Sequence, residues 1–90
     1  LVKKTVANYF NIKVSEMESA KRARSIAYPR QIAIYLIREN TDCSLPKIGD
    51  FFGGRDHSTI LHSYEKMKDE IATNPDVKTT VETIAKMMRA

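Results

Sequence analysis

The chain has 90 residues, 42% of them hydrophobic and 29% charged, and its formal net charge is +4. This length suits one globular domain over residues 1–90, and no apolar run approaches the roughly 20 residues that span a bilayer, which excludes a transmembrane protein. The single cysteine, Cys43, excludes a disulfide scaffold and a cysteine-based zinc site. Because the sequence shows no signal peptide and no initiator Met, we expect a fragment of a cytoplasmic protein.

The first elements show helical spacing, and strand signals are almost absent from the chain. Val2, Val6 and Phe10 recur every four residues and predict a short amphipathic helix. Residues 14–17 are expected to form a single turn with Ser15 as its cap. The chain therefore begins with one helix and one turn.

A loop and a central helix are predicted next. From Ser19 to Ala27 small and basic residues alternate without an apolar face, which indicates a loop. Pro29 suits the first turn of the following helix, where a missing N–H costs little. Residues 32–37 are apolar on all sides, so we expect this helix to lie at the centre of the domain.

The excess positive charge lies in this part of the chain. Between Glu18 and Glu39 there is no acidic residue. Five bases lie there: Lys21, Arg22, Arg24, Arg30 and Arg38. Such a patch indicates a polyanionic partner, nucleic acid first and an anionic membrane surface second, although a solvated surface can have the same composition.

Two helices separated by a glycine turn follow the basic segment. Ser44 is expected to cap the first helix, and Gly53 and Gly54 to end it. Asp56 is expected to cap the second helix, which has an inward apolar stripe. That stripe consists of Ile60, Tyr64, Met67 and Ile71. A short helix, a tight turn and a longer amphipathic helix are typical of a helix-turn-helix.

One more helix completes the predicted fold. Asn74 and Pro75 end the preceding helix, and Asp76 is expected to cap the last one. Its apolar residues at helical spacing are Val77, Val81, Ile84 and Met88. The sequence thus predicts an all-α domain, a small bundle of about five helices that contains a helix-turn-helix.

Motifs that carry catalysis or metal binding are absent from the sequence. There is no G-x-x-x-x-G-K-[ST] phosphate loop. His57 and His62 are five residues apart, which does not suit a metal-binding pair on one helix face. Cys43 has no close basic neighbour that would activate its thiol. We therefore predict neither an enzyme nor a metal or cofactor site in this chain.

The start of the helix after the glycine turn is suited to contact bases. Asp56, His57, Ser58 and Thr59 are short polar residues at the helix end that a helix-turn-helix places in the major groove. Arg22, in a flexible-looking loop, is suited to a narrow minor groove. Alternatively, the same residues are a cap and surface groups of an ordinary helical corner, and the domain docks on a protein or an anionic membrane.

Four ordered blocks of sequence carry a family resemblance. Residues 44–49 are SLPKIG, residues 52–62 are FGGRDHSTILH, residues 21–25 are KRARS and residues 29–33 are PRQIA. Together they closely resemble the bacterial replication initiator DnaA family, over about residues 2–67. The resemblance implies its C-terminal DNA-binding domain, separated from the ATPase domain that holds ATP or ADP and Mg in the full-length family.

The resemblance also implies partners. The family binds short asymmetric boxes of the TTATNCACA type in double-stranded DNA at the replication origin. The full-length family oligomerises on DNA and is linked to acidic phospholipids. We expect the fragment itself to be monomeric, because no heptad array or second helix-turn-helix supplies a dimer seam. A nucleoid-associated protein of the bacterial cytoplasm is expected.

Residue by residue, the resemblance implies two groups of DNA contacts. Base contacts fall on Asp56, His57 and Ser58 in the major groove and on Arg22 in the minor groove. Contacts to the DNA backbone fall on Lys21, Arg24, Arg30, Gln31, Arg38, Leu45, Pro46, Thr59, His62 and Lys66. Ser58 stands where the family usually has Thr, which removes a methyl group that would contact a thymine methyl and leaves the hydroxyl.

Overall fold

The computed structural model describes residues 1–89, and this part of the chain forms six α-helices and no strand. The helices are α1 (Val2–Phe10), α2 (Val14–Met17), α3 (Arg24–Asn40), α4 (Leu45–Phe51), α5 (His57–Thr73) and α6 (Pro75–Arg89). The all-α prediction is confirmed. The helix beyond the expected five is α2, because the single turn predicted at residues 14–17 has regular helical hydrogen bonding.

Helix α3 is the centre of the domain, as its apolar sequence predicts. It packs against α1, α2, α4 and α5, while α6 covers α1 and α5. Ile32, Ala33 and Ile34, on successive sides of α3, are fully buried. Burying an Ile side chain contributes roughly 1.5–3 kcal/mol to the free energy of folding, so the apolar run of α3 supplies much of the stabilisation by the core.

The start of α3 differs from the prediction. The expected loop ends at Ala23 and not at Ala27, because Ile26 is a buried anchor and the Arg24 guanidinium lies 4.9 Å from the Tyr28 ring centroid one turn later. Pro29 therefore occupies the second turn of α3 and not the first. Its missing N–H removes only one hydrogen bond close to the helix start.

Two helix caps also differ from the prediction. Ser15 does not cap α2, whose N-cap is Lys13, and the backbone N–H of Lys13 donates to Glu16 Oε1 at 3.1 Å. Before α6, the side chain of Asn74 accepts from the backbone N–H of Asp76 at 3.0 Å. Asp76 thus lies in the first turn of α6, where its charge favours the helix dipole.

The helix-turn-helix is formed by α4 and α5, as predicted. Ser44 caps α4, with its Oγ accepting from the backbone N–H of Lys47 at 3.3 Å. Phe52 and Ile60, on the two sides of the turn, are fully buried. Asp56 is the N-cap residue of α5, although its carboxylate accepts no backbone N–H from the described part of α5.

No helix within residues 1–89 combines the length and the apolar character that crossing a membrane requires.

Candidate nucleic-acid interface

The start of α5 presents exposed polar side chains. The side chains of Asp56 and His57 are 65% and 62% exposed, and Ser58 and Thr59 are exposed as well. His57 Nδ1 lies 3.3 Å from Asp56 Oδ1, so the two side chains contact each other at the helix end. The buried Ile60 fixes the opposite side of this turn against the core. These side chains are therefore available to a partner and carry little of the packing.

The basic loop, residues 18–23, lies against the turn between α4 and α5. The guanidinium of Arg55 donates from Nη2 to the carbonyl of Ser19 at 2.7 Å. Arg22 and Thr59 line one cleft of about 420 Å³, together with Arg30 and Arg55. The fold thus brings the predicted minor-groove arginine beside the start of the predicted recognition helix, although the two are far apart in sequence.

Arg30 lies underneath the basic loop and is 7% exposed. Its Nε donates to the carbonyl of Met17 at 2.7 Å, and its Nη2 donates to the carbonyls of Ser19 and Lys21 at 3.1 and 2.9 Å. Burial lowers the pKa of the Arg30 guanidinium, and the positive charge of Arg55 lowers it further. These hydrogen bonds from Arg30 hold the backbone of Met17, Ser19 and Lys21 in place. The segment that leads to Arg22 is therefore held by the fold, although the sequence predicts a flexible loop there.

Two further predicted contacts lie on the basic loop and at the start of α3. Lys21 is exposed, with Nζ 3.3 Å from Glu16 Oε2. Arg24 is exposed at the first residue of α3. An ion pair at an exposed site contributes about 1 kcal/mol or less, so the Lys21 side chain can leave Glu16 for a phosphate at little cost.

Gln31, another predicted backbone contact, is half-buried on α3. Its Oε1 is buried and accepts no hydrogen bond from any residue in the described range 1–89. A buried acceptor without a donor costs free energy, and the predicted role of Gln31 gives no reason for this burial.

A second group of predicted contacts surrounds the start of α4. Arg38 is exposed near the end of α3 and donates from Nη1 to the carbonyl of Cys43 at 2.9 Å. This bond holds Arg38 beside the residues that open α4, where Leu45 is half-buried and Pro46 is exposed. The positive charge is thereby kept next to the first-turn backbone of α4.

The remaining predicted contacts follow one line along α5. His62 and Lys66 are exposed, one and two turns after Ser58. Within residues 1–89, no three His, Cys, Asp or Glu side chains come together to hold a metal ion.

The residue that sequence reasoning missed is Arg55. The sequence pattern assigns it only to the glycine turn, yet its side chain reaches the basic loop. The available signal was its position in the sequence, directly after two glycines and before the predicted cap of α5.

A model of the bacterial DnaA protein helix-turn-helix family matches residues 1–67. The chain belongs to this family. The prediction of the DnaA family is thus confirmed, and with it the helix-turn-helix fold of a DNA-binding, non-catalytic domain. The chain is also similar to the solved structure of a DNA replication initiation factor, with a TM-score of 0.84 and 31% identity over 96% of this chain. It spans 26% of the length of that protein.

Proposed function

We propose that this domain binds short asymmetric boxes in duplex DNA at the replication origin. The start of α5 enters the major groove, where Asp56, His57 and Ser58 contact base edges, and Arg22 enters the adjacent minor groove. The observation that supports this most directly is the placement of exposed Arg22 and exposed Thr59 on one cleft. A single bound duplex would contact both elements at once.

The other predicted contacts position the DNA backbone in this proposal. They are Lys21, Arg24, Arg30, Gln31, Arg38, Leu45, Pro46, Thr59, His62 and Lys66. Arg38 and Lys66 are exposed cations that can neutralise phosphates. For Arg30, which already donates three hydrogen bonds to main-chain carbonyls, we propose a contact through the part of its side chain that lines the cleft.

For the whole protein we propose the properties that the family resemblance implies. These are nucleotide binding outside this domain, oligomerisation on DNA, contact with acidic phospholipids, and a place at the bacterial nucleoid. The alternative of a membrane-docking module has little support from α1, because Lys3 Nζ is engaged by Glu18 Oε2 at 2.5 Å and by the carbonyl of Phe51 at 2.8 Å. An engaged ammonium group is less available to lipid headgroups.

The direct test is a titration of the domain with a box-containing duplex and a random duplex at several salt concentrations. We expect the box to bind about 10³-fold or more tightly than the random duplex at physiological salt, as specific DNA-binding domains do. Equal affinity for the two duplexes would refute sequence-specific binding, and binding to anionic vesicles without binding to DNA would favour the membrane alternative.

Substituting Arg22 and Arg38 separates base reading from backbone positioning. Arg22→Ala should weaken box binding and relax the preference for A·T pairs on the minor-groove side, with the fold unaffected, because Arg22 is exposed. Arg38→Ala should weaken binding to both duplexes by the same factor. It should also reduce the slope of log affinity against log salt concentration by about 0.9 for each phosphate that the protein no longer neutralises. If both variants behave identically on the two duplexes, the division into these two roles is wrong.

We expect one domain to bind one box. A helix-turn-helix protein that binds as a symmetric dimer needs a palindromic site, whereas a single motif reads an asymmetric one. Analytical ultracentrifugation of the complex measures the stoichiometry. Two domains on a single box would contradict this prediction.

A further inference from the structure

Arg55 links two parts of the proposed interface through main-chain atoms. Its Nη1 donates to the carbonyl of Phe52 at 2.6 Å, at the end of α4, and its Nη2 donates to the carbonyl of Ser19 at 2.7 Å, in the basic loop. Ser19 and Arg55 are 36 residues apart in sequence. One planar guanidinium therefore joins the glycine turn to the basic loop.

The surroundings of this link make it rigid. Arg55 is half-buried, and the carbonyl of Ser19 also accepts from Arg30 Nη2 at 3.1 Å. The backbone of Gly53 lies so close to the loop that an added Cβ would come within 2.4 Å of the Glu18 carbonyl oxygen. The fork of a guanidinium can hold two carbonyls at fixed separation, which a lysine ammonium on a flexible stem does less well.

Each end of this link lies close in sequence to a proposed DNA-contacting residue. Arg55 immediately precedes Asp56, the first of the proposed major-groove residues, and Ser19 is three residues before Arg22. A shift of the loop relative to the turn would therefore move the proposed minor-groove arginine relative to the start of α5. Holding both in the bound arrangement before DNA arrives lowers the ordering cost of binding.

We propose that Arg55 is a positioning residue that fixes the basic loop, and with it Arg22, against the start of α5. This inference rests on the proposed function. Arg55 increases specific affinity without contacting a base, because it places Arg22 so that Arg22 enters the minor groove while α5 occupies the major groove. The major-groove and minor-groove contacts are coupled through the Ser19 carbonyl.

The test is a double-mutant cycle of Arg55→Lys and Arg22→Ala, read as affinity for box and random duplexes. Lysine keeps the positive charge and loses the two-carbonyl fork. We expect Arg55→Lys to weaken box binding about tenfold in the wild-type background and less than about twofold in the Arg22→Ala background, since coupled residues are non-additive. Binding to random duplex should change less than about twofold, because the charge is retained.

Arg38→Lys is the matched control. Arg38 also donates to a loop carbonyl, that of Cys43 at 2.9 Å, but outside the basic loop. The factor by which Arg38→Lys changes box affinity should be the same in the Arg22→Ala background as in the wild type. Should Arg55→Lys not fold at the assay temperature, Arg55→Gln, whose amide still donates to one carbonyl, enters the same cycle.

Backbone ¹⁵N relaxation of the free protein provides a readout that needs no DNA. Arg55→Lys should lower the order parameters of residues 20–23 and leave those of α6 unchanged. An equal reduction of box affinity with and without Arg22, or unchanged order in residues 20–23, would overturn the positioning role while the proposed function stands. A wild-type domain that does not distinguish box from random duplex would instead overturn the proposed function itself.

Discussion

Gly53→Ala should destabilise the domain by more than about 3 kcal/mol, whereas Gly54→Ala should cost roughly 1–2 kcal/mol. Both glycines have the left-handed backbone that L side chains rarely adopt, with φ of 78° and 77°. They differ in surroundings. An alanine Cβ at position 53 would lie 2.4 Å from the Glu18 carbonyl oxygen, whereas at position 54 it meets no atom of the described residues within 4 Å.

The pair of glycine variants isolates the contact between the glycine turn and the basic loop. The cost of the left-handed backbone is common to both, so the difference in the free energy of unfolding measures the clash with the Glu18 carbonyl. Urea denaturation of the two variants and the wild type gives that difference. Equal destabilisation by Gly53→Ala and Gly54→Ala would mean that the loop can retreat from the turn without cost.

His57→Ala should lower specific affinity for the box by about 1–3 kcal/mol, the usual contribution of one good base contact. Its stability should stay within about 0.5 kcal/mol of the wild type, as for ordinary surface substitutions, because the His57 side chain is 62% exposed. Binding to random duplex should barely change, since the lysines and arginines that can neutralise phosphates are all retained. Thermal unfolding of the free variant and titration with both duplexes are measured side by side.

His62→Ala is the matched control for this prediction. His62 is an exposed histidine on the same helix, and its proposed contact is with the DNA backbone. Removing its side chain should therefore reduce the affinities for box and random duplexes by similar factors, each smaller than the effect of His57→Ala on box affinity. A destabilised His57→Ala variant with an unchanged ratio of specific to non-specific affinity would make His57 a structural residue. The base-contact assignment at the start of α5 would then rest on resemblance alone.

Asp56→Ala is a less direct test of base contact, even though Asp56 is equally exposed. It occupies the N-cap position of α5, where removing a polar side chain costs roughly 1 kcal/mol. In the free protein its carboxylate contacts His57 and accepts no N–H from the described residues of α5. A small effect on stability with a large effect on specificity would therefore support the free carboxylate as a base acceptor.

The sequence by itself determined the elements whose signals are local. Apolar periodicity predicted the buried stripe of α5, in which Ile60 and Met67 are fully buried. Short-range capping predicted the start of α4 at Ser44, and the demand for positive φ predicted the turn at Gly53 and Gly54. Each of these signals lies within one helix or one turn, so the helix-turn-helix is readable without knowledge of the rest of the fold.

The start of α3 shows where local signals fail. The segment from Arg24 to Ala27 has no repeating apolar face, and only the folded chain shows that Ile26 is buried. The helix thus begins at Arg24, ahead of the first turn around Pro29 that the sequence predicts. The free energy of burying one isoleucine exceeds the cost of ordering a short helical turn when the rest of the helix is already formed.

The arrangement of the proposed interface was decided by the tertiary structure alone. Arg30 donates to main-chain carbonyls that are 9 to 13 residues away in sequence, and Arg55 donates to one that is 36 residues away. Every residue carries such a carbonyl, so no side-chain pattern marks which one will accept. The sequence supplies the arginines, and the packing of α2, α3 and the glycine turn selects their acceptors, which brings Arg22 beside the start of α5.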